Sequence, residues 1–232
     1  MLQALPLNKL NNHRNTSTMN IIIFGATGNV GNKVVTEAIA RGHSVTAVSR
    51  QQAKLQKLPK EARRYVGNID HVQEVKKMVP EQTVIISAIR AGRGNEQALL
   101  PMTKKLLSVA QQTNQRILLV GGAGSLIVPD SSGRTVNDHP HYRPSPEYQK
   151  QAEMNTQQLT VCQRTPETNW VYISPPAHIK IGERTGKYRI GNDELLIDSN
   201  GNSTISFQDL AVAIIDEVEA PKHHQQRFTV AY

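Results

Sequence analysis

The sequence predicts an α/β fold: a doubly wound parallel sheet with helices on both faces and a small C-terminal lobe. Three observations carry that expectation. Short apolar, β-rich runs alternate with helical patterns from Ile21 to Val120, and strands without polar alternation belong to sheets covered on both faces. The first strand passes into its helix through Gly25, Gly28 and Gly31, spaced G-x-x-G-x-x-G. Past Gly124 the regularity gives way to two long irregular segments and short strands, the material of a pocket rather than of ordinary connections.

Each element follows in order. Ile21-Ile22-Ile23-Phe24 is the first strand, and Val30, Val34, Val35, Ala38 and Ile39 share one face of the helix after the turn. Gly25 lets the chain leave the strand sharply, Gly28 removes a Cβ so that backbone can approach a pyrophosphate, and Gly31 lets helix pack on strand. The helix start at Asn29 and Val30 then offers free N–H groups and partial positive charge to phosphates. A dinucleotide cradle is one reading of this turn; a structural strand–helix junction is the other. A second strand is expected over His43–Val48, a polar helix over Gln51–Lys57, a weak strand at Tyr65–Val66 and a helix over His71–Met78. An apolar strand (Val84–Ile89), a long helix (Glu96–Gln112) and a fifth strand (Arg116–Val120) complete the regular half.

The stretch from Leu126 to Pro146, rich in Pro, Ser and Asp, reads as a functional loop. A helix (Glu147–Arg164) and a sixth strand (Trp170–Ile173) follow, then an irregular segment from Ser174 to Asn192. Short strands are expected at Leu195–Ile197 and Ser203–Ile205, a helix over Phe207–Val218 and a last strand at Phe228–Val230. Ser206 and Asp209 have the spacing of a capping box with Asp in place of Glu. The expected organisation is a disordered leader over 1–18 and one nucleotide-binding domain over 19–232. Its pocket segments lie at about 122–147 and 174–206.

Composition narrows the function classes. In 232 residues only Cys162 could form a disulfide, so none closes within the chain, which fits a reducing cytoplasm. Cys162 sits in a helical pattern and reads as a packing residue. No run approaches the ~18 apolar residues of a membrane helix. The net charge of +8 is scattered rather than blocked, favouring an anionic cofactor and a small-molecule partner over nucleic acid or membrane. The polar leader lacks a signal-peptide core. Monomer and homodimer both stay open.

The cofactor is narrowed by the end of the second strand. An NAD site places an acid there to bind the ribose hydroxyls; this chain has Val48-Ser49-Arg50 and no acid until Glu61. Arg50 suits a 2′-phosphate, because guanidinium donates paired hydrogen bonds. NADP is therefore expected, with NAD still usable. Thr27 and Asn29 are further phosphate contacts. Asp70 either contacts adenine or caps the helix at His71.

Glycine turn, Gly67-Asn68-Ile69-Asp70, Val120-Gly121-Gly122-Ala123-Gly124-Ser125 and Ser174-Pro175-Pro176 together resemble the atypical short-chain dehydrogenase/reductases. The resemblance is to the bacterial NADH-flavin reductases and NAD(P)H-binding proteins, and implies a Rossmann-like fold. The chain is more distantly similar to the biliverdin-IXβ/flavin reductases in Pro175-Pro176-Ala177-His178-Ile179, Thr185-Gly186-Lys187-Tyr188 and Ser203 to Leu210. Ala177, inserted before the histidine, departs from that pattern.

The usual dehydrogenase chemistry of the wider family needs a Tyr with a Lys four residues on. Here the residues four past Tyr65, Tyr142, Tyr148, Tyr172 and Tyr188 are Ile69, Pro146, Ala152, Pro176 and Asn192, and Tyr232 ends the sequence. Hydride transfer to a flavin does not need the pair, so flavin is expected as an exchangeable substrate. The pocket should lie over the ends of strands four to six, at Ser87, Ala88 and Arg90, Gly122 to Ser125, and Pro175 to His178. Ser125 either bonds nicotinamide or substrate or caps a turn. His178 either donates a proton or is a loop histidine. Arg90 and Arg93 either bind an anion or are solvated. His139 and His141 flank Pro140 without metal partners, and His223-His224 reads as a surface turn. A hydride-transferring reductase, a non-catalytic NADP sensor and a sugar-nucleotide epimerase or dehydratase are the competing functions. The missing Tyr–Lys pair weighs against the last.

Overall fold

The computed structural model describes residues 17–77, 79–80 and 83–232. The leader lies outside these residues except for Ser17 and Thr18, as does Met78 at the end of the expected third helix.

Eight strands form one sheet in the order β3-β2-β1-β4-β5-β6-β10-β8. They are β1 Asn20–Phe24, β2 Ser44–Ser49, β3 Arg63–Val66, β4 Thr83–Ser87, β5 Arg116–Val120, β6 Trp170–Ser174, β8 Arg189–Gly191 and β10 Gln226–Ala231. The pairings from β3 to β10 are parallel, and only β8 runs antiparallel, against β10. The first six strands have the Rossmann order, which reverses direction between β1 and β4 and leaves a crevice at their carboxyl ends.

Strand alternation sorts the core into two layers. Ile21 and Ile23 face helices α1 (Asn29–Ala40) and α6 (Phe207–Glu219), packing with Val34, Val35, Leu210 and Ile214. Ile22 and Phe24 face α4 (Leu99–Gln112) and α5 (Pro146–Gln163), packing with Leu106, Leu107, Leu159 and Cys162. Cys162 is thus a core residue, and burial pushes its thiol up to about 12. The short helices α2 (Gln52–Leu55) and α3 (Val72–Lys77) link the outer strands.

An ionic cluster fixes α1 against α6, and with it the start of α1. Arg41 lies 2.7 Å from Glu37, Asp216 and Glu219, and Arg184 donates twice to Glu37. Burial raises the Glu37 carboxyl's pKa, but the donors Arg184 and Arg41 outweigh it and hold it below its usual value.

Some expectations change in the C-terminal third. Leu195–Ile197 forms no strand. Leu195 instead donates its N–H to Ile127 and packs with Leu126, Val128 and Val136, because these apolar groups satisfy one another beneath the loop. His178 is in a strand, β7 (His178–Lys180), parallel to β9 (Thr204–Ser206). The capping box is half formed. Ser206 Oγ accepts from the Asp209 N–H at 2.9 Å, but the Ser206 N–H donates to Tyr232 Oη. The Asp209 carboxylate instead accepts from Thr185, Gly186 and Tyr232. The two late segments that carried the resemblance therefore meet in one bonded unit. His223 is buried rather than at the surface, with its ring on Glu217 and stacked 4.2 Å from Phe228.

Candidate functional site

The glycine turn occupies the crevice. Gly25 has φ +74°, and a Cβ there would lie 2.6 Å from the Ala88 carbonyl carbon. Gly31 abuts the turn's own backbone, where a Cβ would lie 2.9 Å from Ala26 Cα. Gly28 differs from both. It is the N-cap of α1 with φ −77° and ψ 171°, and a Cβ would meet only Gly25 O, at 3.3 Å, with open space beyond. Its hydrogen faces the cleft. No side chain caps α1 and no acid lies in its first turn, so the amides of Asn29, Val30 and Gly31 are free to bind an anion. Gly25 and Gly31 thus have the turning and close-packing roles that their spacing suggests, and Gly28 leaves open space at the helix start.

The end of β2 is tied to this turn. Thr27 Oγ1 and Ser49 Oγ lie 3.0 Å apart, and the Ala26 N–H reaches Val48 O. Arg50 is exposed immediately beyond, among the described residues without an ion-pair partner. Asp70, at the neighbouring strand end, binds Lys105 and accepts from Asn68 at 2.8 Å. The Lys105 ammonium holds its carboxyl below the usual range.

A cleft of about 690 Å³ runs from Gly28, Asn29 and Val30 across the ends of β4, β5 and β6. Ala88 and Arg90 line one wall, Gly122 the floor, and Pro176 and His178 the far side. His178 is exposed there. A recess of about 380 Å³ adjoins at Thr27, Asn32, Lys33 and Gln208. Ser87 is not in the wall; it is buried in β4. Ser125 is also not brought to the cleft. Its hydroxyl accepts from Arg227 at 2.7 Å, and Arg227 pairs with Asp193. Arg93 reaches Glu147 on the surface.

The cleft gains residues that the sequence did not single out. Tyr142, Arg143, Tyr148, Gln151 and Asn155 come from the long loop and the first turns of α5. The Asn155 side chain occupies the space that a Gly122 Cβ would take, at 2.5 Å. Arg90 stacks on the Tyr148 ring, 5.3 Å from its centroid. The loop's length marked it as functional, but nothing local marked these positions within it.

Five of the tyrosines are held by hydrogen bonds. Tyr65, Tyr142, Tyr172, Tyr188 and Tyr232 donate to Glu74, Gly201 O, Asn155 O, Asp216 and Asp209. Burial pushes the Tyr172 phenol far above its usual value. Of the described tyrosines only Tyr148 has a hydroxyl without a hydrogen-bond partner, and Ala152 stands four residues on. No group of three His, Cys, Asp or Glu residues able to hold a metal occurs among the described residues. No helix there is long and apolar enough to cross a membrane.

Comparison with known proteins bears on the family and the fold. The family described as NAD(P)H-binding matches residues 25–221. The uncharacterized protein YwnB of Bacillus subtilis (strain 168) is 34% identical over 214 residues, covering 91% of this chain and 98% of its own. A Bacteroides thetaiotaomicron structure described as a candidate epimerase is 32% identical, with a TM-score of 0.83 over 93% of this chain and 98% of that one. A Streptococcus pneumoniae structure described as a candidate NADH-flavin reductase is 26% identical, with a TM-score of 0.81 over 92% and 99%.

Proposed function

The chain belongs to the NAD(P)H-binding family, and on that premise we propose that it is an NADPH-dependent reductase acting on a flavin, quinone or similar planar acceptor. The observation that carries this reading is one continuous cleft. It is lined by Gly28 and the free amides of Asn29 and Val30, and also by the apolar side chains of Pro176, Ile179 and Phe207, the last beside the glycine turn. The glycine turn suits a diphosphate, and the apolar side chains suit a flat conjugated ring. The residues present therefore fit the cofactor.

Gly28, Asn29 and Val30 hold the diphosphate, with Thr27 keeping the turn tied to β2. Arg50 takes the 2′-phosphate, so NADP binds more tightly than NAD. Asp70 borders the adenine. Ala88, Arg90 and Gly122 border the nicotinamide. When bound, the dihydronicotinamide supplies a hydride; with one proton added, NADPH and acceptor give NADP⁺ and the two-electron-reduced acceptor. The protein's part is to align two rings and exclude water between them. His178, in the cleft wall, positions the acceptor or supplies its proton. Ser125 serves by orienting Arg227. The Streptococcus pneumoniae neighbour's description supports the acceptor class.

A non-catalytic NADP sensor is the second reading. It is favoured by the engagement of five tyrosines in structural bonds. Mixing the protein with NADPH and FMN, riboflavin or a quinone, and following absorbance at 340 nm, separates the two. Tight NADPH binding with no oxidation above the buffer rate leaves only the sensor.

A further inference from the structure

The geometry points to a subsite for an anionic group of the acceptor at Arg143 and Arg90, so that the preferred acceptors are planar rings bearing a phosphate or carboxylate. This rests on the reductase reading and specifies its substrate class.

Four observations support it. First, no Asp or Glu lines the 690 Å³ cleft, whereas two arginines, Arg90 and Arg143, do. Second, neither forms an ion pair among the described residues. Arg41, Arg93, Arg116, Arg184 and Arg227 are paired with carboxylates, whereas Arg143 has no such pair and Arg90 acts on Glu96 only through space. Third, both are held from behind. Arg90 lies two residues past Ala88, whose N–H is fixed on Phe24 O, and its guanidinium rests on the Tyr148 ring across the cleft. Arg143 donates its backbone N–H to His139 O, and its neighbour Tyr142 donates to Gly201 O. Pro144 follows, which restricts that backbone further. Fourth, the cofactor's own phosphates have other donors, at the start of α1 and at Arg50. Arg143 belongs to the long loop and α5 wall, on the acceptor side.

Two unpaired cations in a cleft without acids favour an anion by Coulomb attraction, more strongly once a bound ring displaces water. Guanidinium can grip phosphate or carboxylate with paired hydrogen bonds. The neighbouring apolar wall takes the ring to which the anion is attached. A neutral ring would leave both charges unused.

The test compares acceptors that share a ring and differ in charge, on protein saturated with NADP⁺. FMN and riboflavin supply the phosphate arm. A naphthoquinone carboxylate and its methyl ester supply the carboxylate arm. Binding is followed by fluorescence quenching, and NADPH oxidation is measured separately. The expected result is a preference of about ten-fold or more for the anion in at least one arm. It should shrink as salt rises and fall to within about two-fold in Arg143→Gln, while NADPH Kd moves less than two-fold. Arg143→Lys, which keeps the charge but loses the fork, should retain part of it. Equal binding of both members in both arms overturns the proposal, as does a preference that survives in Arg143→Gln and Arg90→Gln. So does a loss of NADPH affinity equal to the loss of acceptor affinity. Anion preference without NADPH oxidation would keep the subsite and sink only the reductase reading.

Discussion

Two Gly→Ala changes three residues apart should have opposite consequences. At Gly28 the backbone, φ −77° and ψ 171°, suits alanine, and the new Cβ meets only Gly25 O, at 3.3 Å. Alanine is a poorer N-cap than glycine by about 1 kcal/mol, or roughly 2–4 °C in Tm for a chain of this size. The methyl would, however, project into the cleft where a phosphate must approach. Amide-to-phosphate bonds of ~2.8 Å from Asn29 and Val30 could not be kept beside a carbon needing ~3.5 Å. Losing two charge-assisted hydrogen bonds, each ~1.5 kcal/mol or more, weakens NADPH by about 100-fold or more. At Gly31 the new Cβ would lie 2.9 Å from both Ala26 Cα and the Gly25 carbonyl carbon, inside the contact distance of backbone that cannot swing away. Overpacking of this kind costs about 1–3 kcal/mol, roughly 3–10 °C in Tm. Calorimetry and a fluorescence titration with NADPH on both variants decide the matter. A folded Gly28→Ala protein that binds NADPH within three-fold of the original would refute the cradle, and so would a larger Tm loss at Gly28 than at Gly31.

Other changes test other parts. Arg50→Ala should raise the Kd for NADPH at least ten-fold more than that for NADH, since one charged hydrogen bond is worth ~1.5–3 kcal/mol; equal losses in paired titrations remove the 2′-phosphate assignment. Asp209→Asn turns an acceptor of three hydrogen bonds into a group that must also donate, beside Thr185, Gly186 and Tyr232. It should cost about 2–3 kcal/mol, read as a lower denaturation midpoint at unchanged slope. Burial raises the carboxyl pKa values of Glu37, Asp209 and Glu217, but their hydrogen-bond donors outweigh it and hold all three below the usual carboxylate range. Their stabilisation is therefore complete above that range and lost as pH falls below it, so Tm should be flat from about pH 6 to 5 and drop below about 4. A Tm that rises on acidification contradicts this. Cys162, buried with its thiol pushed up to about 12, should react with a thiol reagent only as fast as the protein unfolds; rapid labelling of native protein would place it elsewhere.

The regular half of the fold was legible because its signals are local. Each strand through β6 falls within a few residues of its apolar run, and the three glycine roles follow from backbone sterics within seven consecutive residues. The glycine turn was readable for the same reason. The rest of the cleft was not. Ser125 follows a glycine run and looks available, yet Arg227, 102 positions later, takes its hydroxyl. Leu195 to Ile197 have strand composition, but Ile127 claims the Leu195 N–H before any sheet can. His223 looks exposed between polar neighbours and is buried by Glu217 and Phe228.

What the sequence determined by itself is the parallel sheet, the order of strands and helices, and the sharp glycine turn between the first strand and its helix. These follow from periodicity and from the conformations glycine allows, both properties of contiguous residues. Only the tertiary structure decided which polar groups remain free to act. A side chain's availability depends on whether a distant partner has already satisfied it. By that criterion Ser125 and five tyrosines are committed, and Arg50, Arg90, Arg143 and Tyr148 are left facing solvent or the cleft.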